Sequence, residues 1–252
     1  MRKSLLLFSI LILIASSAAS GISAQELWQK PASEWSKQEA ETVLNKSPWA
    51  ISQELRMRYR GGLRQVAGTG NIVLGDTVES GTEPPTDFTF TLRLRSGTPI
   101  RLALVRLKEI EENFEKMPPE KRSNFIQKYR GLVECPACAE NYVLTLSSKS
   151  KSNPGADAVY ATFGGAKLAD LKRYIFLQND KGEKRELSHF AAPKAPGEEA
   201  VFFFPRFDEK GKLLFTNENK YLIFNLTKDE VNINTNFKVQ LKPLFQGDAV
   251  DF

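Results

Sequence analysis

The stretch "FTFTLRLR", residues 88–95, constrains this chain more than any other. Phe88, Phe90, Leu92 and Leu94 alternate with Thr89, Thr91, Arg93 and Arg95. Only an extended strand sorts such an alternation onto two faces, one apolar and one polar. The same scheme occurs earlier in "ISQELRMRYR", where Ile51, Leu55, Met57 and Tyr59 oppose Arg56, Arg58 and Arg60. After residue 140 it recurs in "NYVLTLSS", in a hairpin "RYIFLQNDKGEKRELSHF" turning at Asp180-Lys181-Gly182, and in "KYLIFNLT" and "FKVQLKPL". "AVFFFPRF" adds an apolar strand ended by Pro205. Short strands separated by polar turns predict antiparallel sheets packed as a sandwich.

Helical signals gather in the first half. Ser36 and Glu39 have capping-box spacing, Trp35 can staple onto Ala40, and Ala40, Val43 and Leu44 share one face before Pro48. Pro99 opens a second helix with Ile100, Ala103, Leu104, Leu107, Ile110 and Phe114 on one side, and Pro118-Pro119 is expected to end it. A shorter helix through Phe125, Ile126 and Tyr129 is expected to stop at Gly131, and residues 154–171 leave room for one more. The fold class expected is therefore α+β: sandwich-like antiparallel sheets with two or three helices, mainly from the N-terminal half. Residues 25–252 form one domain in this reading. Its one long connection, 61–87, is Gly-rich and closed by Pro84-Pro85, and connections of that length are functional or flexible. Ile72, Val73 and Leu74 can form a small strand inside it.

The chain opens "MRKSLLLFSILILIASSAASGISAQE", a basic start, an apolar run and small residues before Ala24 or Ser20. That is the anatomy of a secretory signal peptide, so residues 1–24 are expected to be cleaved and the product to be periplasmic or extracellular. The apolar run is too short for a membrane-spanning anchor, and no second run of that length follows. The formal charge of +5 falls to +3 when Arg2 and Lys3 leave, too little to argue for nucleic acid. The segment "WSKQEAETVLNKSPWA" resembles the opening of an uncharacterised family of exported bacterial proteins. The resemblance implies export and no particular activity.

The chemistry on offer is sparse. Cys135 and Cys138, in "VECPACAE", are the two cysteines of the chain, and His189 is its single histidine. Haem attachment needs His where Ala139 stands, and structural zinc needs four Cys or His ligands. A redox dithiol needs its first thiol at a helix N-terminus. Here a helix end precedes the pair and a strand follows, which favours a local structural disulfide. His189 lies in a predicted strand without a nucleophile elbow. The acidic pairs Glu111-Glu112, Glu198-Glu199 and Asp208-Glu209 read as solvated charge. "AGTGNIVLG" supplies Gly68 and Gly70, but Val73 stands where a phosphate loop needs a third glycine. Trp28, Trp35 and Trp49 read as anchors of the N-terminal segment. Asn225-Leu226-Thr227 is a glycosylation sequon. No catalytic residue, metal or cofactor is assigned.

One candidate binding surface remains. If the first two alternating strands turn their apolar faces inward, Arg56, Arg58, Arg60, Arg93 and Arg95 share an outer face. Guanidiniums there could hold carboxylate, phosphate or sulfate bidentately, with a solvated face partnered by Glu54 as the plainer alternative. The functional reading is an exported, non-catalytic structural or binding protein whose partner is an anionic envelope polymer or an acidic protein. The alternative is a cell-envelope enzyme, a hydrolase or a thiol-disulfide exchanger using Cys-Pro-Ala-Cys.

Overall fold

The computed structural model describes residues 27–57, 63–65, 72–74, 86–228, 233–246 and 249–252. The expected leader, 1–24, and most of the 61–87 connection lie outside them. The α+β expectation holds, with two main antiparallel sheets and two small strand pairs among the described residues. Helix α1 spans Lys37–Lys46, and its capping box forms as read: Glu39 N donates to Ser36 Oγ at 3.2 Å, and Ser36 N donates to Glu39 Oε2 at 2.7 Å. Strands β1 (Ala50–Met57), β2 (Leu63–Gln65), β3 (Ile72–Leu74) and β4 (Thr86–Leu94) follow, then helices α2 (Thr98–Glu111) and α3 (Pro119–Glu134). The second half holds β5 (Asn141–Ser150), α4 (Ala158–Phe163), α5 (Leu168–Leu171) and β6 (Ile175–Asn179). It continues with β7 (Lys184–Glu186), β8 (His189–Ala191), β9 (Ala200–Pro205), β10 (Tyr221–Lys228), β11 (Ile233–Gln240), β12 (Phe245–Gln246) and β13 (Ala249–Val250).

Two helix boundaries differ from the expectation. Helix α2 stops at Glu111, before a left-handed Asn113 (φ 56°), and the prolines begin the next helix instead of ending this one. Proline at a first helical position loses no hydrogen bond and arrives with helical φ. Helix α3 then runs through Gly131 to Glu134, since one glycine weakens a helix without breaking it. It is the longest helix described rather than a short one.

The first sheet has the order β1-β4-β5-β9-β8 and the second β11-β10-β6-β7, with every pairing antiparallel. Residues directly opposite one another share a face. Phe88, Phe90, Leu92 and Leu94 therefore join Tyr142, Leu144, Leu146, Ala200, Phe202 and Phe204 on one buried side. The second sheet answers with Leu177, Leu222, Phe224, Leu226 and Phe237. The ring of Phe224 lies 5.3 Å from that of Phe202 and 6.1 Å from that of Phe204, which stitches the two sheets together. At one edge Gln53 bridges them, donating to Asn236 O at 2.9 Å and accepting from Thr235 Oγ1 at 2.8 Å.

The helices gather on the first sheet: α1 packs on β1 and β4, α4 on β5 and β9, and α2 on α1. All three tryptophans anchor the start of the described chain. Trp35 Nε1 donates to Leu27 O at 3.0 Å, Trp49 Nε1 to Asp251 O at 2.6 Å, and Trp28 meets Trp49 edge-on at 5.3 Å. Among the described residues no helix is long and apolar enough to cross a membrane.

Candidate functional site

The cysteines form a disulfide, with Cα atoms 5.3 Å apart. Cys135 adopts a left-handed conformation (φ 44°) that terminates α3 and heads a single 3-10 turn, Pro136–Ala139, before β5. A thiol-disulfide exchanger needs an α-helix N-terminus to hold a thiolate. The bridge here closes a helix end against a strand start. Arg206 consolidates the corner: its Nε donates to Cys138 O at 2.7 Å, and its guanidinium lies 4.7 Å from the Tyr142 ring centroid. Burial lowers the Arg206 pKa and raises that of Tyr142.

Of the five arginines, Arg56, Arg93 and Arg95 are described, and Arg93 is not a free surface group. Arg93 is turned away from the core, as alternation requires, yet it is 9% exposed. The C-terminal end of α1 lies against that face. The Arg93 Nε donates to Leu44 O at 2.8 Å, one terminal nitrogen to Asn45 Oδ1 at 2.8 Å, and the other to Ser147 Oγ at 2.8 Å and Glu199 Oε1 at 2.5 Å. This guanidinium is an internal tie. Arg56 sits at the far end of the same pairing, exposed and 3.3 Å from Asp87. Arg95 is half-buried in the turn after β4, while Arg58 and Arg60 lie outside the described residues. Glu54, expected to partner the arginines, takes Lys151 at 2.7 Å. Strand alternation fixed the phase of Arg56 and Arg93, but the packing of α1 over one end removed Arg93 from the surface.

Most other singled-out groups are occupied. Glu111 pairs with Lys108, Glu112 accepts from Lys128 and Tyr129, Glu198 accepts from Lys194 N, and Asp208 accepts from the backbone of Lys210 and Lys212. Glu199, read as solvated, is half-buried and pairs with Arg93. His189 is exposed on the short edge strand β8, its ring 6.3 Å from that of Phe203. Val73 stands in β3, paired with Arg64, and Gly68 and Gly70 lie outside the described residues. Asn225 lies mid-strand in β10 and is 9% exposed, so the fold does not present the sequon. A recess of about 330 Å³ opens beside Trp35, Ile110 and Phe114, but its Glu109 and Glu115 both pair with Arg106. No group of three His, Cys, Asp or Glu side chains among the described residues could hold a metal.

What the sequence reading missed is the outer face of the second sheet. Pairing registers align Lys238, Ile223, Gln178 and Lys184 in one row across β11, β10, β6 and β7. The neighbouring row holds Asn236, Asn225, Phe176 and Glu186, and Tyr221 stands opposite Gln240 beyond the lysine row. Phe176, Gln178, Tyr221 and Ile223 are half-buried, while both lysines are exposed. Each lysine rests on a ring: Lys238 Nζ lies 3.8 Å from the Tyr221 centroid and Lys184 Nζ 4.3 Å from that of Phe176. An exposed contact of this kind is worth about 0.5–1 kcal/mol, weak enough for a ligand to displace. Alternation in "YIFLQ", "KYLIF" and "FKVQL" signalled the outward phase of these side chains, but only the register makes them neighbours.

The chain matches no family model, no curated protein and no solved structure.

Proposed function

We propose that this is an exported, non-catalytic binding protein of the cell envelope or the extracellular space, and that it engages an anionic partner through the outer face of the second sheet. The observation that carries the reading is the row Lys238–Ile223–Gln178–Lys184, flanked by two half-exposed aromatic rings on a rigid sheet. Side chains held on paired strands keep their spacing without a ligand, so little ordering entropy opposes binding. A disulfide between the only cysteines supports export, because such bridges persist in oxidising compartments. The resemblance of the Trp35–Ala50 segment to exported bacterial proteins points the same way.

Association of the purified mature protein with envelope preparations of its native host tests the reading. Lys184→Glu combined with Lys238→Glu should abolish co-sedimentation at low salt while leaving the melting temperature unchanged. Undiminished co-sedimentation of the charge-reversed variant would reject this face as the binding surface.

A further inference from the structure

We infer that the partner of this face is an acidic polysaccharide, a deduction that rests on the binding role proposed above. Size is the first argument. The face spans three strand spacings, about 14 Å, and four residues along β10, again about 14 Å, so it presents roughly 200 Å² in projection. A stable protein–protein interface takes about 800 Å² from each partner around an apolar centre. This patch is flat and carries two lysines and two amides instead of an apolar centre, and its length matches two or three sugar rings of a ribbon-like chain.

Chemistry is the second argument. Phe176 and Tyr221 offer π faces, whose negative quadrupole attracts the polarised C–H faces of a pyranose much as it attracts a cation. Gln178, between the rings, and Asn236, at the β11 edge, carry side-chain amides that both donate and accept, as hydroxyl pairs require. Lys184 and Lys238 stand at the two ends of the row, with Glu186 in the neighbouring row and the Asp180 carboxylate held by the backbone N–H groups of Lys220 and Tyr221. The Lys184 and Lys238 ammonium groups can leave the rings to meet sugar carboxylates while each ring receives the sugar. An acidic polypeptide could satisfy the lysines and the amides, but its flexible carboxylate side chains present no flat C–H face to the two rings.

Affinity electrophoresis separates these cases, using gels that contain polygalacturonate, neutral dextran or poly-glutamate. The intact mature protein should be retarded strongly by polygalacturonate and little by the other two. Lys184→Gln with Lys238→Gln should weaken that retardation at least tenfold. Phe176→Leu with Tyr221→Leu, which keeps apolar bulk and removes the rings, should weaken it about fivefold at an unchanged melting temperature. Equal retardation by poly-glutamate together with harmless leucine substitutions would assign an acidic polypeptide instead and overturn the inference. Equal retardation by dextran would remove the acidic requirement. Absence of retardation by polygalacturonate, with envelope association still dependent on Lys184 and Lys238, would sink the polysaccharide assignment and leave the binding role standing. Envelope association independent of those lysines would remove both.

Discussion

Arg93 and Glu199, 106 residues apart in the chain, meet at 2.5 Å beneath the end of helix α1. The same guanidinium satisfies Leu44 O, one of the carbonyls that a helix leaves without a partner in its last turn. One side chain therefore ties α1, β4, β5 and the approach to β9 together. The cluster works as a buried fork: Arg93 is 11% exposed by its side chain and Glu199 23%. A planar guanidinium with five donors can serve four acceptors at once, and an ammonium cannot.

Arg93→Ala should therefore destabilise the fold by about 3 kcal/mol, the range seen when one partner of a buried pair is removed. Arg93→Lys should recover only part of the loss. Urea denaturation with a Glu199→Gln cycle measures the coupling. A cost below about 0.5 kcal/mol for Arg93→Ala would mean that the cage is solvated, as surface pairs are.

Gly97 is pinned by Trp49. A Cβ at Gly97 would come within 2.4 Å of Trp49 Cδ1, and the indole cannot retreat because its Nε1 is held by Asp251 O at 2.6 Å. Overpacking of this kind costs about 1–3 kcal/mol. Gly97→Ala should lower the melting temperature accordingly and shift Trp49 fluorescence; thermal denaturation gives the answer directly.

Glu39 carries a pH signature. Its bond from Ser36 N, then those from Lys30 and the Ser36 hydroxyl, hold its pKa at about 2 instead of 4.5. Depression in the folded state means the contribution is complete above the unfolded pKa, near 4.5, and is lost as the pH falls towards 2. A carboxyl carbon titration should find the midpoint near 2. Glu39→Ala should cost about 1 kcal/mol at neutral pH, as other lost caps do.

The disulfide closes a four-residue ring, for which loop-closure entropy predicts about 2 kcal/mol. Cys135→Ser with Cys138→Ser should cost that much or less and leave envelope association intact. Rapid insulin reduction by the purified protein, abolished by Cys135→Ser alone, would contradict a purely structural bridge.

Export is checked by intact mass. Protein recovered from the native host should lack the segment ending at Ala24 or Ser20, and a full-length cytosolic species would contradict the secretory reading.

Much of the architecture was legible from short windows. The Ser36–Glu39 box, the Phe88–Leu94 alternation and the Asp180–Gly182 turn each depend on residues within one turn or one strand of each other, so local pattern suffices. Helix ends were less legible. Pro119 opens α3 where it was expected to close α2, because proline marks a boundary without saying which side of it is helical. The site was the least legible part. Phe176, Lys184, Tyr221 and Lys238 come from four strands, and nothing in their separate segments announces that they form one surface.

The sequence alone determined which side of each strand is apolar, because period-two geometry is a property of the backbone itself. Arg93 and Lys238 are equivalent by that rule: both point away from the core. Tertiary structure then separated them. Helix α1 packs over the first sheet and turns Arg93 into a buried tie, while Lys238 stays exposed on the second. Burial of an outward side chain depends on which distant element covers it, and strand register decides its neighbours. Neither is encoded in the residues beside it.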